Sequence, residues 1–112
     1  MTEPVYCATV VYPFAEDTEF DVERYAREIA PRYAGLLGGN CLGFEVREGR
    51  TSPGRPHPDY ACIASFWVRS AEAFGQSLGS AQMRTLMAEI DAFSPIRPIR
   101  QFDVCHAARY PG

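Results

Sequence analysis

The chain has 112 residues, with 14 acidic side chains against 11 arginines, no lysine and a net charge of −3. That length fits a single domain over residues 1–112, since domains run roughly 100–200 residues, and 46% hydrophobic content suits a globular fold. The missing amine excludes Schiff-base chemistry and P-loop nucleotide binding, and the negative balance makes nucleic acid an unexpected partner.

Val5 to Tyr12 (VYCATVVY) is rich in β-branched and aromatic residues and reads as a first strand closed by Pro13. Val22, Tyr25, Ala26, Ile29, Tyr33, Leu36 and Leu37 then recur at helical spacing. Asp21 is the expected N-cap, with Phe20 and Tyr25 as a hydrophobic staple and Glu23/Arg27 and Glu28/Arg32 as ion pairs on the wet face. Pro31 lies inside this helix and predicts a kink or local opening after Arg27, because it removes an intrahelical hydrogen bond. Gly38-Gly39-Asn40 ends it.

Cys41 to Arg47 alternates after Gly43 and reads as an edge strand. Glu48 to Pro58 holds three prolines and two glycines and is a loop. Tyr60 to Val68 (YACIASFWV) is apolar on both parities, as in a central strand. Ser70 caps a short helix carrying Ala73 and Phe74, and Gly79-Ser80 interrupts it before Met83, Leu86, Met87 and Ile90 resume the helical spacing. Ile99 to Cys105 is the last strand.

The order strand, helix, strand, strand, helix, strand is the α+β, ferredoxin-like βαββαβ arrangement with a four-stranded antiparallel sheet. Right-handed crossovers place strands one and three at the centre and the helices on one face. The other face is left bare, and a second copy of the chain packed sheet to sheet, a homodimer, is the expected cover. The four cysteines have no zinc-ligand spacing and read as reduced thiols, so no metal is expected. No run of about 18 apolar residues and no basic, apolar leader is present, so no membrane partner is expected and the location reads as cytoplasmic.

Four segments in order resemble the EthD family of dimeric α/β-barrel proteins: Tyr12-Pro13, Phe20-Asp21 leading to Pro31, Ala64 to Phe74 (ASFWVRSAEAF) and Met87 to Gln101 (MAEIDAFSPIRPIRQ). The resemblance implies a cofactor-free dimeric α/β barrel, among whose relatives are decarboxylases and cyclases acting on aromatic or polyketide-like acids. It also implies a departure. The family commonly carries a histidine two residues before the helix proline, and Ile29 stands there in this chain. Isoleucine cannot transfer a proton, which takes an acid/base mechanism centred on that position away.

The remaining candidates each have a plain alternative. His57, between Pro56 and Pro58, reads as a catalytic base oriented by Asp59 or as a solvated loop histidine; His106 falls with it at one sheet end in this reading. Tyr12, Tyr25, Tyr33 and Tyr60 offer phenols beside apolar surface, as hydrogen-bond donors to a carbonyl or enolate or as core residues. Tyr12 leads them, because it closes the central strand. Arg100, on an otherwise apolar strand, reads as a bidentate holder of a substrate carboxylate or as a surface or intersubunit charge. Phe66, Trp67, Met83 and Met87, with Ile29 and Tyr33, line a small aromatic-ligand pocket or simply pack the core.

The expected function is therefore a cofactor-free cyclase, isomerase or decarboxylase (lyase) acting on a small aromatic or polyketide-like acid. A non-catalytic ligand-binding accessory protein, or a cofactor-free quinol monooxygenase compatible with Trp67, are the alternatives.

Overall fold

A computed structural model describes residues 3–106. The elements are β1 (Val5–Pro13), α1 (Val22–Arg24), a π-helical segment (Tyr25–Ile29), α2 (Ala30–Leu37), β2 (Cys41–Glu48), β3 (Tyr60–Val68), α3 (Ala71–Leu78), α4 (Ala81–Phe93) and β4 (Ile99–Cys105). The four strands form one antiparallel sheet in the order β2-β3-β1-β4. This is the α+β ferredoxin-like fold, with β1 and β3 at the centre and β2 at an edge, as the sequence pattern requires.

The first helix starts as read. The Asp21 carboxylate accepts from the Arg24 N–H at 3.0 Å, and Phe20 packs on Tyr25 with ring centroids 5.7 Å apart. Pro31 acts one turn earlier, where it has no N–H to return to the helix. The chain widens into the π-helical segment, and the Ala30 N–H donates to the Tyr25 carbonyl. The wet-face pairing differs in part: Arg27 meets Glu23 at 3.8 Å, but Glu28 takes Arg24 at 2.7 Å. Arg32 instead reaches Glu89 of α4 at 2.5 Å, tying α2 to α4. Gly38, at φ +62°, stops α2 in the left-handed region where a side chain would be strained.

Strand register decides what faces what. Tyr12 lies opposite Cys62, Val10 opposite Ala64 and Ala8 opposite Phe66, so these even-numbered residues share one face. On β4, Arg100 and Phe102 pair with Val10 and Ala8 and join that face. The core packs there, with Tyr25, Ile29, Tyr33 and Leu37 from the first helical unit and Met83, Leu86 and Ile90 from α4. The odd-numbered face has Val11, Ile63 and Trp67 half-buried on the two central strands. At its edges lie polar pairs, Glu45 with Arg47 at 3.1 Å and Gln101 with Asp103 at 2.8 Å.

Asn40 staples the two halves. Its side-chain amide donates to the Ser70 carbonyl, while its oxygen accepts from the Arg69 and Ser70 N–H groups at 3.1 and 2.7 Å. Ser70 and Ser80 in turn cap α3 and α4 by accepting from the Ala73 and Met83 N–H groups. Gly49, where the chain leaves β2, runs so close to β3 that a Cβ would meet the Tyr60 carbonyl at 1.9 Å. Asn40→Ala leaves the Arg69 N–H on the Asn40 backbone carbonyl but orphans the Ser70 N–H, and denaturant unfolding should show a loss of about 1–3 kcal/mol; an unchanged midpoint would remove Asn40 from this role.

Candidate functional site

The helix-facing side of the sheet gathers most of the tyrosines. Tyr12 is fully buried, against Phe20 at 4.3 Å and edge-on to Tyr25 at 5.3 Å between ring centroids. Phe93 of α4 closes this group, 5.6 Å from Phe20, and the Arg24 guanidinium lies 5.2 Å from the Phe93 ring. Tyr33 sits further along, its ring 4.4 Å from that of Phe66. The hydroxyl of Tyr12 is buried without a hydrogen-bond partner among the described residues. The Tyr25 hydroxyl is near enough to act on it, but no hydrogen bond of regular geometry joins the two.

Burial dominates the titration of all three phenols. It pushes Tyr12 and Tyr25 above the ordinary tyrosine value and Tyr33 up to about 12, with Arg100 opposing the rise at Tyr12 and Tyr33. Raised values keep the hydroxyls protonated at neutral pH and make them weaker acids, so these groups are donors of hydrogen bonds and not bases. Cys62, beneath them on β3, is likewise pushed up to about 12 by burial and is an inert thiol.

Arg100 stands on the same face. Its guanidinium reaches the Met87 sulfur at 3.5 Å, and it has no carboxylate partner among the described residues. It lines a cavity of about 210 Å³ together with Ala8, Val10, Tyr33, Phe74 and Phe102. Phe74 and Phe102 stack at 4.9 Å and form one wall. The lining is apolar except for Arg100, Thr9 and Gln101.

Other candidates fall elsewhere. Ile29 is buried in the π-helical segment and Met83 is fully buried, both as core residues. Trp67 does not join Phe66 in a pocket: adjacent strand residues point to opposite faces, and Trp67 lies on the face away from the helices. His57 is exposed, stacked on Phe14 at 4.5 Å, with its Nδ1 2.9 Å from the Pro58 carbonyl oxygen. Asp59 does not orient it, because that carboxylate pairs with Arg55. The two histidines lie at opposite sheet ends. His57 precedes Tyr60, which pairs with Pro13, whereas His106 follows Cys105, which pairs with Val5, about 26 Å away at the usual strand rise.

Of the nine residues that line this cavity the sequence singles out only Tyr33 and Arg100 for the site, and among the other seven Phe74, Leu78 and Phe102 supply the large apolar walls. Phe102 was recoverable from parity, since it alternates with Arg100 on β4. Asp91, one helical turn beyond Met87, is not singled out by the sequence pattern, yet its charge acts on Tyr12. No group of three His, Cys, Asp or Glu residues is placed to hold a metal ion, and no helix is long and apolar enough to cross a membrane, among the described residues.

No family model and no curated relative matches the sequence. Solved structures do. An EthD-like protein from Ralstonia eutropha JMP134 superposes with a TM-score of 0.84 at 23% identity, over 96% of this chain and 97% of that one. SnoaB, a cofactor-independent oxygenase from Streptomyces nogalater, gives 0.65 at 9% identity over 96% and 97%. A hydroxynitrile lyase from Passiflora edulis gives 0.65 at 9% identity over 98% and 100%. The class these likenesses define is the α+β ferredoxin-like fold. Within it, the chain has the fold of an EthD-like protein, in agreement with the resemblance read from the sequence.

The orphaned hydroxyl offers a direct check. Tyr12→Phe removes an unpaired buried polar atom, so chemical denaturation should show stability unchanged or raised by about 1 kcal/mol. A loss of more than that would mean the hydroxyl is bonded in solution.

Proposed function

We propose that the protein is a cofactor-free enzyme of the cyclase, isomerase or lyase type, acting on a small aromatic or polyketide-like acid held on the helix side of the sheet. One observation carries this reading: the Arg100 guanidinium, unpaired with any described carboxylate, borders an apolar cavity that is also lined by Tyr33, whose phenol burial keeps protonated. Arg100 binds the substrate's anionic group in a bidentate fork. Tyr33, with Tyr12 and Tyr25 behind it, stabilises negative charge that develops on a carbonyl oxygen. Much of the rate then comes from holding a flexible substrate in a reactive shape. Cofactor-independent and lyase chemistry on the same fold, in SnoaB and in the hydroxynitrile lyase, supports the class of reaction.

The chain works as one domain and as a homodimer in this proposal. The odd-numbered sheet face supports this, with Val11, Ile63 and Trp67 flanking the small polar pair Thr9 and Ser65 on the central strands and charged or polar pairs at the edges. His57 is given no part in the chemistry, because it does not line the Arg100 cavity. A second reading, ligand binding without turnover, is favoured by the lack of any imidazole or carboxylate among the residues lining that cavity.

The test is conversion of aromatic and polyketide-like carboxylic acids, followed by mass spectrometry. Arg100→Gln should raise KM at least about tenfold, the worth of a charge-assisted pair. Tyr33→Phe should lower kcat by about 10²-fold or more with binding retained. If Arg100→Gln leaves KM unchanged, the assignment of the site is wrong; if acids bind and return unchanged, the protein is a binder. Oxygen uptake with a quinol would show the oxygenase alternative instead.

A further inference from the structure

Arg100 borders a second space. A depression of about 590 Å³ is lined by Asp91, Ser94, Ile96, Arg97 and Arg100, with Pro95 and Pro98 shaping its floor. The apolar cavity of about 210 Å³ falls below the roughly 300–1,000 Å³ of most small-molecule sites, whereas this depression lies within that range. Arg97 makes no hydrogen bond or ion pair among the described residues, and neither it nor Arg100 pairs with Asp91 across the same space. By contrast Arg24, Arg27, Arg32, Arg47, Arg50 and Arg55 each have a carboxylate partner. Arg97 and Arg100 thus stand together without a carboxylate partner, three residues apart where the chain enters β4, whereas Arg69 and Arg84, which also have none among the described residues, do not line this space.

The backbone there is held in place. Ser94 accepts from the Ile96 N–H at 3.1 Å and donates to the Ile96 carbonyl, and Pro95 and Pro98 restrict the chain on either side of Arg97. Two guanidinium groups face one carboxylate across the depression, which leaves a net positive charge facing whatever enters.

We infer that this depression is the second half of the substrate site, and that the ligand is an aromatic acid with two anionic groups, one on Arg100 and one on Arg97. The inference rests on the reading of Arg100 as the holder of an aromatic acid. The aromatic body lies against Phe74 and Phe102, and the second carboxylate lies in the outer depression, where a fork of donors on a restrained segment recognises it at low entropic cost. Asp91 then serves specificity, since it repels an anionic group placed beyond the reach of Arg97.

Calorimetric titration with 3-phenylpropanoate and benzylsuccinate tests this, because the two share an aromatic body and differ by one carboxylate. The native protein should bind benzylsuccinate about tenfold more tightly, the worth of one further charge-assisted pair. Arg97→Gln should abolish that preference while leaving 3-phenylpropanoate affinity unchanged, and Arg100→Gln should weaken both. The Arg97 side chain is exposed, so its variant keeps the native melting temperature, which thermal denaturation verifies. Equal affinity for the two probes in the native protein, or an equal loss of both in Arg97→Gln, overturns the second anionic subsite and leaves the first standing. Failure of both probes to bind at millimolar concentration overturns the aromatic-acid reading itself, and this inference with it.

Discussion

The in-register pairing of β1 with β3 is the constraint on which the rest of this structure depends. It sets Tyr12, Val10 and Ala8 against Cys62, Ala64 and Phe66 on one face, and so fixes which side chains the helices can cover. A slip of one residue would turn the tyrosine under the helices outward and bring Trp67 in, since side chains alternate strictly along a strand. The pairing with β4 extends the same logic to Arg100, which is drawn onto the apolar face opposite Val10. That a cation stands on that face is thus a consequence of register rather than of local preference.

Its surroundings give that placement chemical meaning. Three buried phenols, each raised by desolvation, remain neutral hydrogen-bond donors, and Arg100 opposes the rise at Tyr12 and Tyr33. The cavity therefore favours negative charge that arrives with a ligand or develops on it, and offers no group that takes up a proton near neutral pH. Fold alone does not select among reactions, because an oxygenase and a lyase share it. Selection falls to the few polar atoms that line the cavity.

The first helical unit shows how backbone and site are connected. Pro31 withholds one N–H, and the chain responds with a π-helical segment that contains both Tyr25 and Ile29. This wider turn rotates the residues before it relative to a regular helix, and so sets where Tyr25 meets Tyr12 and Phe20. The proline was legible in the sequence as a local opening. That the opening would take π geometry was not, nor that Arg24 rather than Arg32 would claim Glu28, since Arg32 is drawn to Glu89 of α4, a partner distant in the chain.

The sequence by itself determined the strand and helix order, the central position of β1 and β3, the helix caps at Asp21 and Ser70, and the parity of Arg100 within β4. These follow from periodicity and local hydrogen bonding, which act over a few residues. Only the tertiary structure decided that Trp67 and Phe66 part to opposite faces, that Asp59 prefers Arg55 to His57, and that the two histidines stand at opposite sheet ends. It also brought Phe74 and Phe102 together into a cavity wall, and left Arg97 and Arg100 without carboxylate partners. Those outcomes turn on register and on competition among partners distant in the chain, which no short stretch of residues specifies.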